Sequence, residues 1–308
     1  MERKVTRECL TGVFAPIVTP FKEDGAVDLD ALRRNIEKLS QTRLRGYFAL
    51  GTNGEFRSLT YQEKLKVIET VLRVKGDKVV IGGASCESTF ESIQLARDLA
   101  SLGVDFVSLM PPSFFAKRMT DDVLYRYFTD VAEAVDKPVL LYNNPGVANN
   151  LCLSPSLVGR VSEHPNIFGL KDTSRGNYDS YIAASSGKDF WILAGSADFV
   201  FPALLVGAVG GVLSLANVFP NLCCELVELG LKRDLERGLL LHRFVAKLNG
   251  LVSGKHGVSG VKAAMDLFGF EGKFLRKPLE VLGEKERKNM EREIHELFSC
   301  APEGVVQG

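Results

Sequence analysis

Two apolar runs in the middle of the chain end in side chains able to do chemistry. Asn166-Ile-Phe-Gly-Leu-Lys171 stops at a lysine, with Asp172-Thr173-Ser174 directly after it. Pro138-Val-Leu-Leu-Tyr142 stops at a tyrosine, followed by Asn-Asn-Pro145-Gly146. Desolvation disfavours an ammonium, so a lysine at the end of a buried strand supplies a free amine for carbonyl chemistry. A phenol is the acid/base partner such an amine needs. Each residue alone has a plainer reading. A lone lysine at a strand end is most often a solvated or ion-paired surface group. A lone tyrosine before Asn-Asn-Pro is most often a packing residue with a satisfied hydroxyl.

Strand-like and helix-like stretches alternate around these two runs. Gly12–Val18 reads as a first strand, and apolar residues at helical spacing follow it at Leu29, Leu32, Ile36 and Leu39. Further strands are expected at Gly46–Leu50, Lys78–Ile81, Val104–Leu109, the runs ending at Tyr142 and Lys171, Phe190–Ala194 and Gly211–Ser214. Thr60-Tyr-Gln-Glu63 and Ser88-Thr-Phe-Glu91 have the form of capping boxes that open helices. Residues 120–136 form the helix after strand four, and Ser154-Pro155 starts the one after strand five.

Eight such units with continuous apolar strands predict the α/β class and a closed (β/α)8 barrel over residues 8–221. A doubly wound open sheet is the alternative, but no Gly-x-Gly-x-x-Gly turn follows the first strand. Beyond the barrel, Leu226, Leu229, Val258, Val261, Met265 and Phe268 recur at helical spacing. They predict a C-terminal helical region, 222–300, packed on the barrel.

The bulk numbers narrow the function classes. The 308 residues are 45% hydrophobic and 25% charged, which is the composition of a soluble globular protein. With 38 basic and 38 acidic residues no basic face is implied, and no nucleic-acid partner is expected. Phe199 to Cys224 carries no charge and is long enough to span a bilayer, but Pro202, Gly207, Gly210, Gly211, Asn217, Pro220 and Asn221 interrupt it. It reads as a short helix, a glycine turn, a buried strand and the start of another helix, and no membrane contact is expected. The six cysteines form no Cys-x-x-Cys, the four histidines have no ligand spacing, and the charged start Met1–Glu8 has no apolar core. A reduced, cytoplasmic chain without a metal, a cofactor or a secretory leader is the expectation.

In a (β/α)8 barrel the active site lies at the carboxyl ends of the strands. The second strand ends in Gly51-Thr52-Asn53-Gly54-Glu55; the exposed backbone N–H groups of this turn and the side chains of Thr52 and Asn53 could hold a carboxylate, though such a turn alone is a weak signal and Glu55 could simply orient the next loop. The seventh ends in Gly195-Ser196 and the eighth in Ser214. These serines could bind acceptor hydroxyls or a second carboxylate, or only cap local backbone. Lys171 could form a Schiff base with a 2-oxo acid, and its protonated imine would be an electron sink for making or breaking a neighbouring C–C bond. Tyr142 could shuttle the proton.

Thr19-Pro20, Gly51-Thr-Asn-Gly-Glu55, Tyr142-Asn-Asn-Pro145, Gly169-Leu-Lys-Asp172 and Ala194-Gly-Ser196 occur in an order and spacing that resemble the dihydrodipicolinate synthase / N-acetylneuraminate lyase family of class I aldolases. The resemblance covers nearly the whole chain. It implies Lys171 as the Schiff-base lysine for pyruvate or another 2-oxo acid and Tyr142 as the proton-transfer residue. It also implies Thr52 as a relay hydroxyl and Thr52 with Asn53 as the carboxylate site. A homotetramer, a dimer of dimers, with a three-helix C-terminal region is implied as well.

Within the family the likeness is greatest to the 4-hydroxy-2-oxoglutarate aldolases. Asn53, Cys86-Glu-Ser-Thr89, Gly207-Ala-Val-Gly-Gly211, Leu215-Ala-Asn-Val218 and Met265-Asp-Leu-Phe-Gly269 carry it. Two positions depart from the synthase pattern. Gly146, Val147 and Ala148 stand where an arginine would hold a second carboxylate, and a neutral pocket cannot replace a bidentate pair. Phe114 and Phe115 stand where a tyrosine from a neighbouring subunit would complete a relay, and neither can pass a proton, so either water or Ser113 takes over or the chemistry depends on the relay less.

The leading expectation is cleavage of a 4-hydroxy-2-oxo acid or a 2-keto-3-deoxy sugar acid with release of pyruvate. The alternatives are 4-hydroxy-tetrahydrodipicolinate synthase or a 2-keto-3-deoxy acid dehydratase using the same imine. A third reading, of another class, is a binding protein that kept the barrel and lost turnover. Phe114 and Phe115 favour it, and Lys171 and Tyr142 count against it.

Overall fold

A computed structural model describes residues 5–301; the first residues of the charged start lie outside them. The expected (β/α)8 barrel is the observed one. Its strands are β1 (Gly12–Pro16), β2 (Gly46–Ala49), β3 (Val79–Gly83), β4 (Phe106–Leu109), β5 (Val139–Asn143), β6 (Ile167–Asp172), β7 (Trp191–Ala194) and β8 (Gly210–Val212). They pair in parallel and in sequence order, and β8 closes on β1. The strands are apolar along their length because both faces are buried. Phe14, Phe48, Ile81, Phe106, Leu140, Leu193 and Val212 pack inside, with Leu10 joining them from the short helix before β1. A second core lies between the strands and the surrounding helices.

The local starts and stops follow the sequence closely. Thr60 and Glu63 make both bonds of a capping box. Ser88 caps its helix by accepting from the Glu91 N–H, but the Glu91 carboxylate takes the Ser88 hydroxyl and not the backbone N–H, so only half of that box forms. Ser154 accepts from the Leu157 N–H at the start of the helix Pro155–Val161. The uncharged stretch resolves into the helix Val200–Val206, Gly207, β8, a 3-10 turn Ser214–Asn217 and the helix Pro220–Lys232. Ser214 therefore leaves the strand, because the Ala216 N–H turns back onto the Leu213 carbonyl. Among the described residues no helix is long and apolar enough to cross a membrane.

The helix Pro220–Lys232 runs across the boundary expected at residues 221 and 222. It follows β8 and packs on β1, which makes it the eighth helix of the barrel. Past it come the helices Leu235–Asn249, Gly257–Leu267 and Glu284–Ser299. One side chain ties this region to the carboxyl end of the barrel. Lys262 Nζ donates to Glu55 Oε1 at 2.6 Å, to the Thr19 carbonyl at 2.7 Å and to the Phe274 carbonyl at 2.7 Å. Both ionic side chains are almost sealed, at 1% and 2% exposure. Burial pulls the ammonium below the ordinary lysine pKa, and Glu55 opposes that pull. Glu55 Oε2 accepts the Arg276 N–H at 3.0 Å, and the Arg276 guanidinium holds both oxygens of Glu63 at 2.7 Å.

Breaking a buried pair from one side strands the other charge. The Lys262→Met variant is expected to lose about 3–5 kcal/mol of stability in urea unfolding, with Lys262→Met/Glu55→Gln recovering part of it. An unchanged unfolding midpoint in the single variant would show that the pair does not hold the two regions together.

Candidate active site

β5 and β6 are neighbours, and their register sets Tyr142 directly opposite Lys171. Successive strand residues face opposite sides, so both side chains enter the barrel while Asn143 and Asp172 face out. Asn143 Nδ2 donates to Asp172 Oδ1 at 2.8 Å and to the Tyr181 hydroxyl at 3.1 Å, which fixes the two strands from behind. Burial raises the Asp172 pKa, while hydrogen bonds from Asn143 and Ser174 work against the rise.

Inside, Lys171 is 4% exposed. Its Nζ lies 3.8 Å from the centre of the Tyr142 ring and 4.9 Å from that of Phe48. Two aromatic faces thus take the place of water around the ammonium. Phe48 also packs edge-on against Tyr142, with ring centres 5.6 Å apart. The Tyr142 oxygen lies 3.1 Å from Thr52 Oγ1 and accepts from Asn144 Nδ2 at 2.9 Å. Burial would push this phenol up. The Lys171 charge and hydrogen bonds with Thr52, Lys171 and Asn144 outweigh it, so its pKa falls below the ordinary tyrosine value.

The turn after β2 is bracketed by Leu50 and Glu55, both left-handed with φ of 58° and 50°. Non-glycine residues hold that conformation only where their surroundings enforce it, and Lys262 does so at Glu55. Within the turn the Gly54 N–H meets the Gly51 carbonyl and the Glu55 N–H meets that of Thr52. Asn53 is buried and, among the described residues, its Nδ2 has no hydrogen-bond partner, so it can donate to an anionic ligand.

The other expected positions have different surroundings. A Cβ on Gly195 would stand 2.1 Å from Thr173 Oγ1 and 2.6 Å from the Asp172 carbonyl, so only glycine lets the β6 and β7 ends close together. Ser196 Oγ accepts from Asn249 Nδ2 at 3.3 Å, which ties it to the C-terminal helices. The Ser214 carbonyl accepts from Asn217 Nδ2 at 3.0 Å. The structure brings Thr52, Tyr142 and Lys171 into one contact; Ser196 and Ser214 stand at their strand ends with partners of their own.

The departing positions are built differently from each other. Phe114 and Phe115 are 74% and 68% exposed and touch edge to face. Their loop is pinned by Glu87, which accepts from the Ser113 and Phe114 N–H groups at 2.9 Å. Arg57 pairs with Glu87 at 2.8 Å and donates to Ser113 Oγ at 3.1 Å. Gly146 and Val147 lie in a 3-10 turn that begins at Pro145. Among the described residues no group of three His, Cys, Asp or Glu could hold a metal ion. Reasoning from sequence gave no role to Asn144 or Lys262. For Asn144 a signal existed, since residues two apart on a strand share a face and Tyr142 is two before it.

The chain's likenesses agree with this geometry. The model of the Dihydrodipicolinate synthetase family matches residues 9–297. A 4-hydroxy-tetrahydrodipicolinate synthase of Methanothrix thermoacetophila is 36% identical over 276 residues, covering 89% of this chain and 92% of the relative. A solved dihydrodipicolinate synthase of Acinetobacter baumannii, described as chloride-inhibited and complexed with pyruvate, has a TM-score of 0.88 at 28% identity, over 94% of this chain and 99% of that one. A further solved structure, described as a monomeric dihydrodipicolinate synthase variant, has a TM-score of 0.87 at 26% identity, over 94% and 97% of the two chains.

The electrostatics of the pair can be measured without a substrate. Removing the ammonium in Lys171→Met leaves burial unopposed by a charge, so the Tyr142 phenol should titrate above the ordinary tyrosine value. Ultraviolet difference titration against a Tyr142→Phe control reads this. An unshifted titration would show that Lys171 does not set the ionisation of Tyr142.

Proposed function

The chain belongs to the dihydrodipicolinate synthetase family, and on that premise we propose that it is a class I aldolase that cleaves a 4-hydroxy-2-oxo acid or a 2-keto-3-deoxy sugar acid through an imine on Lys171, releasing pyruvate. The observation that carries the reading is the Lys171 ammonium packed on the ring of Tyr142, its partner in register across β5 and β6. Lys171 Nζ, as the amine, adds to the C2 carbonyl of the 2-oxo acid, and loss of water leaves an iminium. Thr52 and Asn53 hold the C1 carboxylate. The Tyr142 phenolate takes the proton of the C4 hydroxyl, the C3–C4 bond breaks, and its electron pair passes into the iminium to give an enamine and an aldehyde. Tyr142 then protonates C3, and water releases pyruvate from Lys171. Gly195, Ser196 and Ser214 line the side taken by the departing aldehyde.

A second reading, the synthase reaction with pyruvate and an amino-aldehyde acid, is favoured by the name of the Methanothrix relative. Gly146, Val147 and Ala148 weigh against it, because no guanidinium stands there for the second carboxylate. A dehydratase would use the same imine. A binding protein without turnover would have no use for Lys171 on the ring of Tyr142 and Thr52 on its oxygen. The barrel, with Pro220–Lys232 as its eighth helix, and the helical region packed on it are read as the subunit of a cytoplasmic homotetramer, a dimer of dimers, supported by the exposed Phe114–Phe115 pair.

Borohydride reduction with pyruvate, followed by peptide mass analysis, is expected to place a stable adduct on Lys171, and Lys171→Ala to abolish it with the helical circular dichroism signal intact. An unmodified Lys171 in the unaltered protein would end the imine mechanism. Turnover of 4-hydroxy-2-oxoglutarate or 2-keto-3-deoxygluconate, set against pyruvate with aspartate semialdehyde, separates the two readings.

A further inference from the structure

The oxygen of Tyr142 has a neighbour that sequence reasoning left without a role. We propose that Asn144 is a positioning residue for the imine chemistry, its amide holding the Tyr142 oxygen in a site where, among the described residues, Thr52 is the only hydroxyl bonded to it, so that Tyr142 can take a proton and return it within the same pocket. The proposal rests on the reading of Lys171 and Tyr142 given above.

Three groups bear on the phenol oxygen: Thr52 Oγ1 at 3.1 Å, Asn144 Nδ2 at 2.9 Å and the Lys171 ammonium. They differ in kind. A hydroxyl can both give and accept a proton, so Thr52 can pass one on. A carboxamide N–H donates a hydrogen bond but does not exchange its proton on the timescale of turnover, so Asn144 can stabilise a phenolate and carry nothing away. Phe114 and Phe115, the aromatic residues of the loop after β4, have no exchangeable proton at all.

Asn144 is held firmly enough for this task. Its side chain reaches the phenol because residues 142 and 144 face the same way along the chain. The backbone on one side is fixed by Asn143, whose Oδ1 accepts the Leu153 N–H at 3.1 Å and whose Nδ2 reaches Asp172 and Tyr181. On the other side Pro145 opens the 3-10 turn, and the Asn144 carbonyl accepts the Val147 N–H at 3.1 Å. Groups fixed in this way add little reorganisation when charge develops on the oxygen they face. The lowered pKa of Tyr142 agrees with a donor placed for the phenolate form.

The consequence is chemical. In aldol cleavage the proton taken from the C4 hydroxyl is the equivalent of the one required at C3, so a single phenol can complete the cycle without exporting a proton. A phenol held between one hydroxyl, one amide and one ammonium fits that economy.

Pyruvate alone tests the proposal. In D2O the Tyr142 phenolate takes a proton from the methyl carbon of the pyruvate iminium. The C–H pair becomes the enamine double bond and the C=N pair moves to nitrogen. With pyruvate alone no second substrate takes up that proton, so the phenol exchanges it with solvent through the Thr52 hydroxyl, and reversal returns deuterium, which proton NMR follows as loss of the methyl signal. Asn144→Val should keep the borohydride adduct on Lys171. It should also move the rising limb of exchange against pH upward by about one unit and cut exchange at neutral pH by up to about tenfold, the effect of losing one hydrogen bond to a charged group. Asn144→Asp keeps the size and puts a negative charge beside the phenolate, and should move the limb further up. Ultraviolet titration of Tyr142 in the same variants reads the same shift and needs no imine. If Asn144→Val leaves both the limb and the titration in place, or if Asn144→Asp behaves as the unaltered protein, Asn144 only packs and the proposal is wrong. Absence of an adduct in the unaltered protein, with the titration shifts intact, would remove the Schiff-base reading and leave Asn144 as the group that positions the phenol.

Discussion

Lys262 and Glu55 carry opposite charges into a place that water barely reaches, and the upper rim of the barrel is organised around them. Desolvating two ions costs several kcal/mol each, so the pair persists only because every remaining donor and acceptor is used. The Lys262 ammonium spends its protons on Glu55, Thr19 and Phe274, and Glu55 spends its second oxygen on Arg276. Those partners come from the loop after β1, the loop after β2 and the chain beyond the barrel. Thr19 in turn donates to the Gly54 carbonyl at 2.8 Å. Turns at the rim of a barrel lack ladder hydrogen bonds and would otherwise be mobile. Here the turn that carries Thr52 and Asn53 is clamped at one end by a buried charge, which explains how Glu55 can stay in a left-handed conformation.

That clamp matters because the reactive pair is rigid by a different device. Lys171 and Tyr142 sit on adjacent strands at the same register level, so the sheet itself fixes their spacing. Thr52, the third member, reaches Tyr142 from a turn and not from a strand. Its 3.1 Å contact is only as reliable as the loop that holds it. The Lys171–Tyr142–Thr52 cluster is thus one part strand register and one part ion pair. A change on the helix Gly257–Leu267 can disturb the hydroxyl beside Tyr142 without touching the barrel interior.

Much of this was legible in the sequence, for physical reasons. Strands buried on both faces show as continuous apolar runs, and a polar side chain at the end of such a run stands out, which is why Lys171 and Tyr142 can be picked directly. The Thr60 capping box and the Pro155 start carry local signals of the same strength. The boundary expected at residues 221 and 222 falls inside the eighth helix because Pro220 opens that helix without a side-chain cap and the barrel-to-tail junction has no linker to mark it. Lys262 was hidden because a lysine in a helix pattern reads as solvated, and its burial depends on residues about two hundred positions away. Glu91 illustrates the reverse: the sequence has the capping-box spacing, but the carboxylate takes the Ser88 hydroxyl instead of the backbone.

The two halves of the site are therefore constrained unequally. The half that carries Lys171, Tyr142 and Thr52 is set by strands and a buried ion pair. The other half is set by loops that branch from β5, β6 and β7, where Asn149, Asn150 and Arg175 all take positive φ of 52°, 59° and 63°. Arg175 pairs across these loops with Asp198 at 2.5 Å, and Asn149 reaches the Ser113 carbonyl at 3.4 Å. A barrel built this way can keep one imine chemistry while its acceptor changes, because no strand residue that positions Lys171 needs to move when a loop is rewritten. Asn144 stands at the join between these halves: the last residue with the strand's alternation and the first of the loop, it is where a change on the acceptor side would reach the phenol directly.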